Sequence, residues 1–487
     1  MTLRHQLRAV AALVLLAQTV AAQRADQRAD TLRVSIGEAV THAITTSDES
    51  RLSRLNLAIT DAQAGAAMAP GIPQLRFQGT NSQSLKNARG DIVGAAFQQA
   101  YTFQGTFIAS QTLFQGGRIF AAARAANHLR GASEYDAGET RARLAVDMER
   151  SYINAIYFGR LVELQERNLA LSSERLAQVE QLAAAGRSSR FDVLRSRVQK
   201  SNIEPLVLQA RNDRENAVLD LKRLLDVPME RPVSLTTALD TGTVRAIVDA
   251  AAADTAPDDL RGMVRSAELT LLARQDAIRV ARGQLLPTVN MTFNYGFLAL
   301  PTRNGFPERL GTTANSNCVP AKPEPARCQN NGFFPDRTFG FTVNWAMFDG
   351  LLTKSNIELA SAQRSIAETN LHQQREAASL DLGRARAEFQ RARAAWNARG
   401  QNVAEAEESF QLASLRFSRG LSTQLEVTDA QFAMLTAQSN EIRALFDVYL
   451  ATAELARVRG RPIPLPTGAT IPIRSSSGLT SRASNAP

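Results

Sequence analysis

Two stretches in the second half of the chain alternate apolar residues with polar or small ones. Val289, Met291, Phe293, Tyr295 and Phe297 alternate with Asn290, Thr292, Asn294 and Gly296. Phe339, Phe341, Val343, Trp345 and Met347 alternate with Gly340, Thr342, Asn344 and Ala346. A period of two gives a β-strand one apolar and one polar face. The first half shows a weaker form of the pattern. There Leu75 and Phe77 stand against Arg76 and Gln78, and Phe103 and Phe107 against Gln104 and Thr106. Four strands follow, over about 73–83, 101–115, 287–297 and 337–348.

Each pair of strands precedes a long proline-free run, Gly117 to Gly186 and Gly350 to Gly420, dominated by Ala, Leu, Arg and Glu. These are strong helix formers. Each run holds about 70 residues and as unbroken helix would reach about 105 Å. Gly131, Gly138 and Gly159 are points of bending in the first, Gly383 and Gly400 in the second. Gly186 and Gly420 suit the left-handed position that ends a helix. Beyond them, Ser189 stands three residues before Asp192 and Thr423 three before Glu426, a helix-start pattern. Two antiparallel helical hairpins are predicted, with return helices ending near Pro228 and Pro462. Pro205 is expected to interrupt and kink the first return helix, and its counterpart Ser439 is not.

These elements are one unit written twice. Gly116 and Gly350, Gly186 and Gly420, and Pro228 and Pro462 all lie 234 positions apart. A fixed long offset marks an internal repeat. Pro73 and Pro287 lie 214 apart, so about 20 extra residues sit between the third and fourth strands. The expected organisation is a signal segment 1–22, a first repeat 23–230, a linker 231–260, a second repeat 261–462 and a Pro/Ser-rich tail 463–487.

The first 22 residues read as a secretory signal. Arg4, His5 and Arg8 precede the apolar core Ala9 to Leu16, and Val20-Ala21-Ala22 forms a small-residue cleavage site before Gln23. The residue after the site is not Cys, so no lipid attachment is expected there. No other stretch has the roughly 18 to 20 apolar residues of a spanning helix. An exported chain without such a helix enters a membrane only as a β-barrel. The net charge of +9 falls to +7 when Arg4 and Arg8 leave with the signal. The remaining cations are interleaved with acids along helices, which describes a solvated helix surface better than a nucleic-acid site.

The only cysteines, Cys318 and Cys328, lie in the extra loop and in an exported protein read as one disulfide. His5, His42, His128 and His372 are scattered, which speaks against zinc. No nucleophile with a base and no glycine-rich phosphate loop stands out, so neither an enzyme nor a cofactor is expected. Four strands are too few to close a membrane barrel, and an open edge does not survive in lipid. Strands that span a bilayer must therefore be pooled by several chains. The competing reading is a soluble periplasmic coiled-coil scaffold, which explains the helices but not the paired strands.

The residues from about Leu32 to Pro462 resemble the outer-membrane efflux proteins, the TolC-like channels. The resemblance rests on the duplication and on Pro73 and Leu286-Pro287 before the strands. It also rests on the turns Phe114-Gln-Gly-Gly117 and Phe348-Asp-Gly350, and on the glycine-hydroxyl-acid turns at Gly186 and Gly420. It implies an α+β membrane protein with a periplasmic α-barrel of helical hairpins and four strands per chain in a shared transmembrane β-barrel. Three copies would form a twelve-stranded barrel and a tunnel reaching an adaptor protein and an inner-membrane pump. It further implies a passive exit duct for efflux or type I secretion in the outer membrane. Acids ringing the family's periplasmic entrance match Glu426 and Asp429, with Asp192 the first-copy counterpart of Glu426. Helix capping already accounts for Asp192 and Glu426, which makes Asp429 the better ring residue. The family's gating tyrosine and arginine are Phe417 and Ser422 here. That hydrogen-bond lock is absent, which leaves Phe417 or Leu421 to narrow the pore sterically.

Overall fold

A computed structural model describes residues 31–85, 101–255, 258, 261–299, 334–467 and 470–471. The signal segment, Cys318 and Cys328, and most of the tail lie outside the described residues.

The chain opens with β1 (Leu32–Val34), α1 (Ile36–Thr46) and α2 (Asp48–Met68), then β2 (Gln74–Gln83) and β3 (Tyr101–Gln115). The first hairpin is α3 (Arg118–Ala184) and α4 (Arg190–Leu224), followed by β4 (Val233–Leu235) and α5 (Thr241–Ala253). The second copy runs through α6 (Gly262–Arg282), β5 (Thr288–Ala299), β6 (Phe334–Asn344), α7 (Leu352–Ser418) and α8 (Gln424–Val458). It closes on β7 (Ile463–Pro464) and β8 (Thr470–Ile471).

The duplication holds to the residue. Helices α3 and α7 each have 67 residues, and α4 and α8 each have 35. Residues with positive φ among the described ones form four pairs 234 positions apart: 116 with 350, 117 with 351, 186 with 420 and 226 with 460. The repeat also includes α2 and α6, 21 residues each, which the sequence reading passed over.

Neither long helix breaks at its internal glycines. Nor does Pro205 interrupt α4, which continues as one helix past it. A proline removes one backbone donor, and the flanking Ile203, Val207 and Ala210 are buried, so packing carries the helix through.

Strand β6 ends at Asn344, short of the expected 348. The Trp345 indole Nε1 donates to the Leu285 carbonyl at 3.1 Å instead of continuing the alternation. Opposite, the backbones of Gly116 and Gly283 approach so closely that a Cβ on Gly116 would lie 2.4 Å from the Gly283 carbonyl oxygen.

The residues divide into two compact units that cut across the repeats. One comprises Met1–Asn56, Glu134–Arg265 and Gln373–Pro487, the other Leu57–Ser133 and Ser266–His372. The first contains a core built from α1, α3, α4, α5, α7, α8 and β7, with Ile36, Val40, Met148, Tyr152, Leu221 and Tyr449 fully buried. The second contains the four-stranded sheet.

Candidate functional site

The sheet has the order β2-β3-β5-β6, antiparallel throughout, with β2 and β6 at its edges. Its register carries each face across all four strands. Leu75, Ala109, Phe293 and Phe339 stand in one row, and Phe77, Phe107, Tyr295 and Arg337 in the next. Phe77 and Phe107 touch with ring centroids 4.9 Å apart. The alternate rows, on the opposite face, are polar or small: Gln74, Ser110, Thr292 and Gly340, then Gln78, Thr106, Gly296 and Asp336. Leu75, Phe77, Phe339, Phe341 and Val343 are all more than half exposed. A sheet with one apolar and one polar face, both open, has the surface chemistry of a membrane barrel wall. No helix among the described residues is long and apolar enough to cross a membrane.

At the other site, the two hairpin turns share one backbone design. Gly186 takes φ 72° and Gly420 φ 75°. Arg187 N donates to Leu182 O at 2.8 Å, and Leu421 N to Arg416 O at 2.9 Å, closing the preceding helix in a Schellman motif. The next helices are capped by hydroxyls. Ser189 and Asp192 form a reciprocal capping box. The Asp192 carboxylate accepts from the Ser189 hydroxyl at 2.6 Å, the Ser189 amide at 3.1 Å and the Ser188 hydroxyl at 3.2 Å. The Ser189 hydroxyl above all holds this carboxyl below the ordinary aspartate range. In the second copy the Thr423 hydroxyl accepts from Glu426 N at 3.4 Å, and Ser422 Oγ donates to Glu426 Oε2 at 3.0 Å. Asp429, beyond the cap, is exposed and enters no hydrogen bond or ion pair among the described residues.

Behind these turns the hairpins meet through polar groups. Gln424 Nε2 donates to Ser196 Oγ at 3.2 Å, and the Thr428 hydroxyl to Gln199 Oε1 at 3.2 Å. Gln431 Nε2 donates to Asn168 Oδ1 at 2.8 Å and to Ser172 Oγ at 3.1 Å. Arg175, only 8% exposed, donates to Ser414 Oγ at 2.8 Å and Gln178 Oε1 at 3.2 Å. Burial pulls its pKa below the ordinary value. Its guanidinium lies 5.4 Å from the centre of the Phe417 ring. Phe417 is therefore half-buried against its own chain, while Leu421 at the turn is 68% exposed. The sequence reading singled out Phe417 but missed its arginine partner and the buried amides. Their signal was spacing: Asn168, Ser172 and Arg175, and Gln424, Thr428 and Gln431, both follow i, i+4, i+7, the interval of a buried helix face.

A duplicated chain that joins a two-faced antiparallel sheet to long helical hairpins has the architecture of an outer-membrane channel-tunnel. The outer membrane efflux protein family model matches residues 51–226 and 260–461, and the chain belongs to that family. Solved structures share the fold. The Campylobacter jejuni CmeC outer membrane channel superposes with a TM-score of 0.71 at 14% identity, covering 87% of this chain and 85% of that one. The outer membrane protein VceC of Vibrio cholerae gives 0.70 at 16% identity, covering 88% and 96%. The open state of the Neisseria gonorrhoeae MtrE outer membrane channel gives 0.67 at 17%, covering 88% and 89%. No curated protein sequence matches the chain.

Proposed function

We propose that three copies of this chain pool their sheets into one closed barrel in the outer membrane. The assembly is a passive exit duct, without catalysis, of a tripartite efflux or type I secretion system. The sheet carries this reading: its apolar face extends across all four strands, while β2 and β6 are edge strands with no further partner among the described residues. Backbone donors and acceptors left open in lipid cost several kcal/mol each. Pairing β2 of one copy with β6 of the next removes both edges. The hairpin turns then serve as the periplasmic end, where a periplasmic adaptor and an inner-membrane pump engage. There Asp429, with Glu426 and Asp192, supplies negative charge, and Phe417 and Leu421 narrow the passage.

The test is fractionation and reconstitution. The expected result is a heat-resistant trimer in the outer-membrane fraction that conducts ions across a planar bilayer. A monomer recovered from the soluble periplasm, with no conductance, would overturn the reading in favour of a coiled-coil scaffold.

A further inference from the structure

Glu149 lies on α3 in the centre of the core, with 0% of its surface exposed. Among the described residues neither of its carboxyl oxygens makes a hydrogen bond of ordinary length. The polar group that reaches it is the Tyr449 hydroxyl of α8, itself fully buried. That hydroxyl donates its hydrogen elsewhere, to the Pro464 carbonyl oxygen of β7 at 3.0 Å. A phenol has one hydrogen to give, and here two acceptors compete for it.

Five charged groups on the surrounding elements are engaged with other partners. Glu38 of α1 is bound to Ser35, and Lys222 of α4 donates to Met229 O. Arg245 of α5 lies over Trp396, and Arg386 of α7 is paired with Asp258. Arg457 of α8 is held by Glu139 and Glu454. The other buried phenol of this core, Tyr152, donates to Val34 O at 2.9 Å.

We propose that Glu149 and Tyr449 form a proton-governed latch on the C-terminal strand β7. With Glu149 protonated, its own O–H donates to the Tyr449 oxygen, and the Tyr449 hydrogen stays on Pro464. Each of the two hydroxyl hydrogens then has an acceptor, and the second Glu149 oxygen alone is left without a donor. When Glu149 gives its proton to solvent, the carboxylate becomes an acceptor without a donor. A buried, unpartnered carboxylate is far costlier than an unpartnered carbonyl, so it takes the Tyr449 hydrogen. Pro464 loses its bond, and the β7–β8 pair loses its polar tie to α8. Burial pushes the Glu149 pKa well above the usual carboxylate range, in keeping with a protonated resting form.

The experiment is hydrogen exchange on the full-length purified protein, followed in the peptide containing Ile463 and Leu465. Rates are corrected for intrinsic exchange at each pH, from about pH 5 to about pH 9. In the parent protein, protection of this peptide should fall about fivefold or more as the pH rises, the loss expected for one hydrogen bond. Glu149→Gln should abolish the fall. Tyr449→Phe, which removes the contested hydrogen and keeps Glu149, should hold protection near the parent's high-pH level at every pH, with a flat profile. A flat profile in the parent, or an undiminished fall in Tyr449→Phe, would overturn the latch.

Discussion

Leu351 holds a backbone conformation that the first copy assigns to glycine. Its φ is 70°, against 73° at Gly117. A left-handed conformation costs a side chain about 1–2 kcal/mol, and Leu351 is mostly exposed, so little burial offsets that cost. Leu351→Gly is therefore expected to stabilise the protein by about 1 kcal/mol after glycine's own entropy is deducted. A lower thermal midpoint would contradict it. Glu149 gives a second prediction. Its folded pKa is raised by burial, so the folded state binds a proton that the unfolded chain releases. Its stability contribution is fully present below the unfolded carboxylate value of about 4.3 and is lost as pH rises through the folded value. Glu149→Gln, uncharged at every pH, should have a higher thermal midpoint than the parent near neutrality and lose that advantage in acid. An advantage that does not vary with pH would show that ionisation is not its source. Asp192 was legible in the sequence because a cap acts within three residues. Glu149 was not, because its environment is assembled from α3, α8 and β7, far apart in the chain.

At the scale of elements, periodicity revealed what periodicity governs. Strand β5 alternates cleanly and was read directly, while β2 and β3 needed the repeat to support them. The fixed offset located both hairpin turns, since each requires the same glycine geometry. The seam between hairpins escaped because polar residues at helical spacing look like a solvated face. Gln431 shows what that seam contributes: it is 3% exposed and joins Asn168 and Ser172. Gln431→Leu leaves the Asn168 oxygen buried without a donor, which costs about 1–3 kcal/mol. The expected outcome is a matching loss of stability in denaturant unfolding. Adding Asn168→Leu should restore part of it, because removing both partners is cheaper than removing one. A double variant no more stable than the single one would mean that the amides contribute shape alone.

For the whole molecule, the proposed assembly turns single side chains into rings of three. Asp429 is the residue on which this matters most. It is exposed on α8, beyond the capping turn, and is not committed to any partner among the described residues. Asp192, by contrast, spends its carboxylate on three local hydrogen bonds, and Glu426 receives one from Ser422. If three Asp429 carboxylates face one narrow passage, their fields add in a partly desolvated space, where Coulomb energies exceed those in bulk water. Such a ring favours cations and captures multivalent ones tightly enough to block flow. In that arrangement Glu426, three residues and so just under one helical turn earlier, would add a weaker second ring. The measurement is single-channel conductance of the reconstituted protein, with and without a trivalent cation. Asp429→Asn combined with Glu426→Gln should lower cation selectivity and relieve block by about tenfold or more, while the heat-resistant trimer persists. Asp192→Asn should instead weaken the charge-assisted part of the α4 capping box by about 0.3–1 kcal/mol and lower cation selectivity less than the double variant does. Should the double variant conduct and block like the parent, the acids of α8 lie away from the passage, and selectivity must arise elsewhere along the duct.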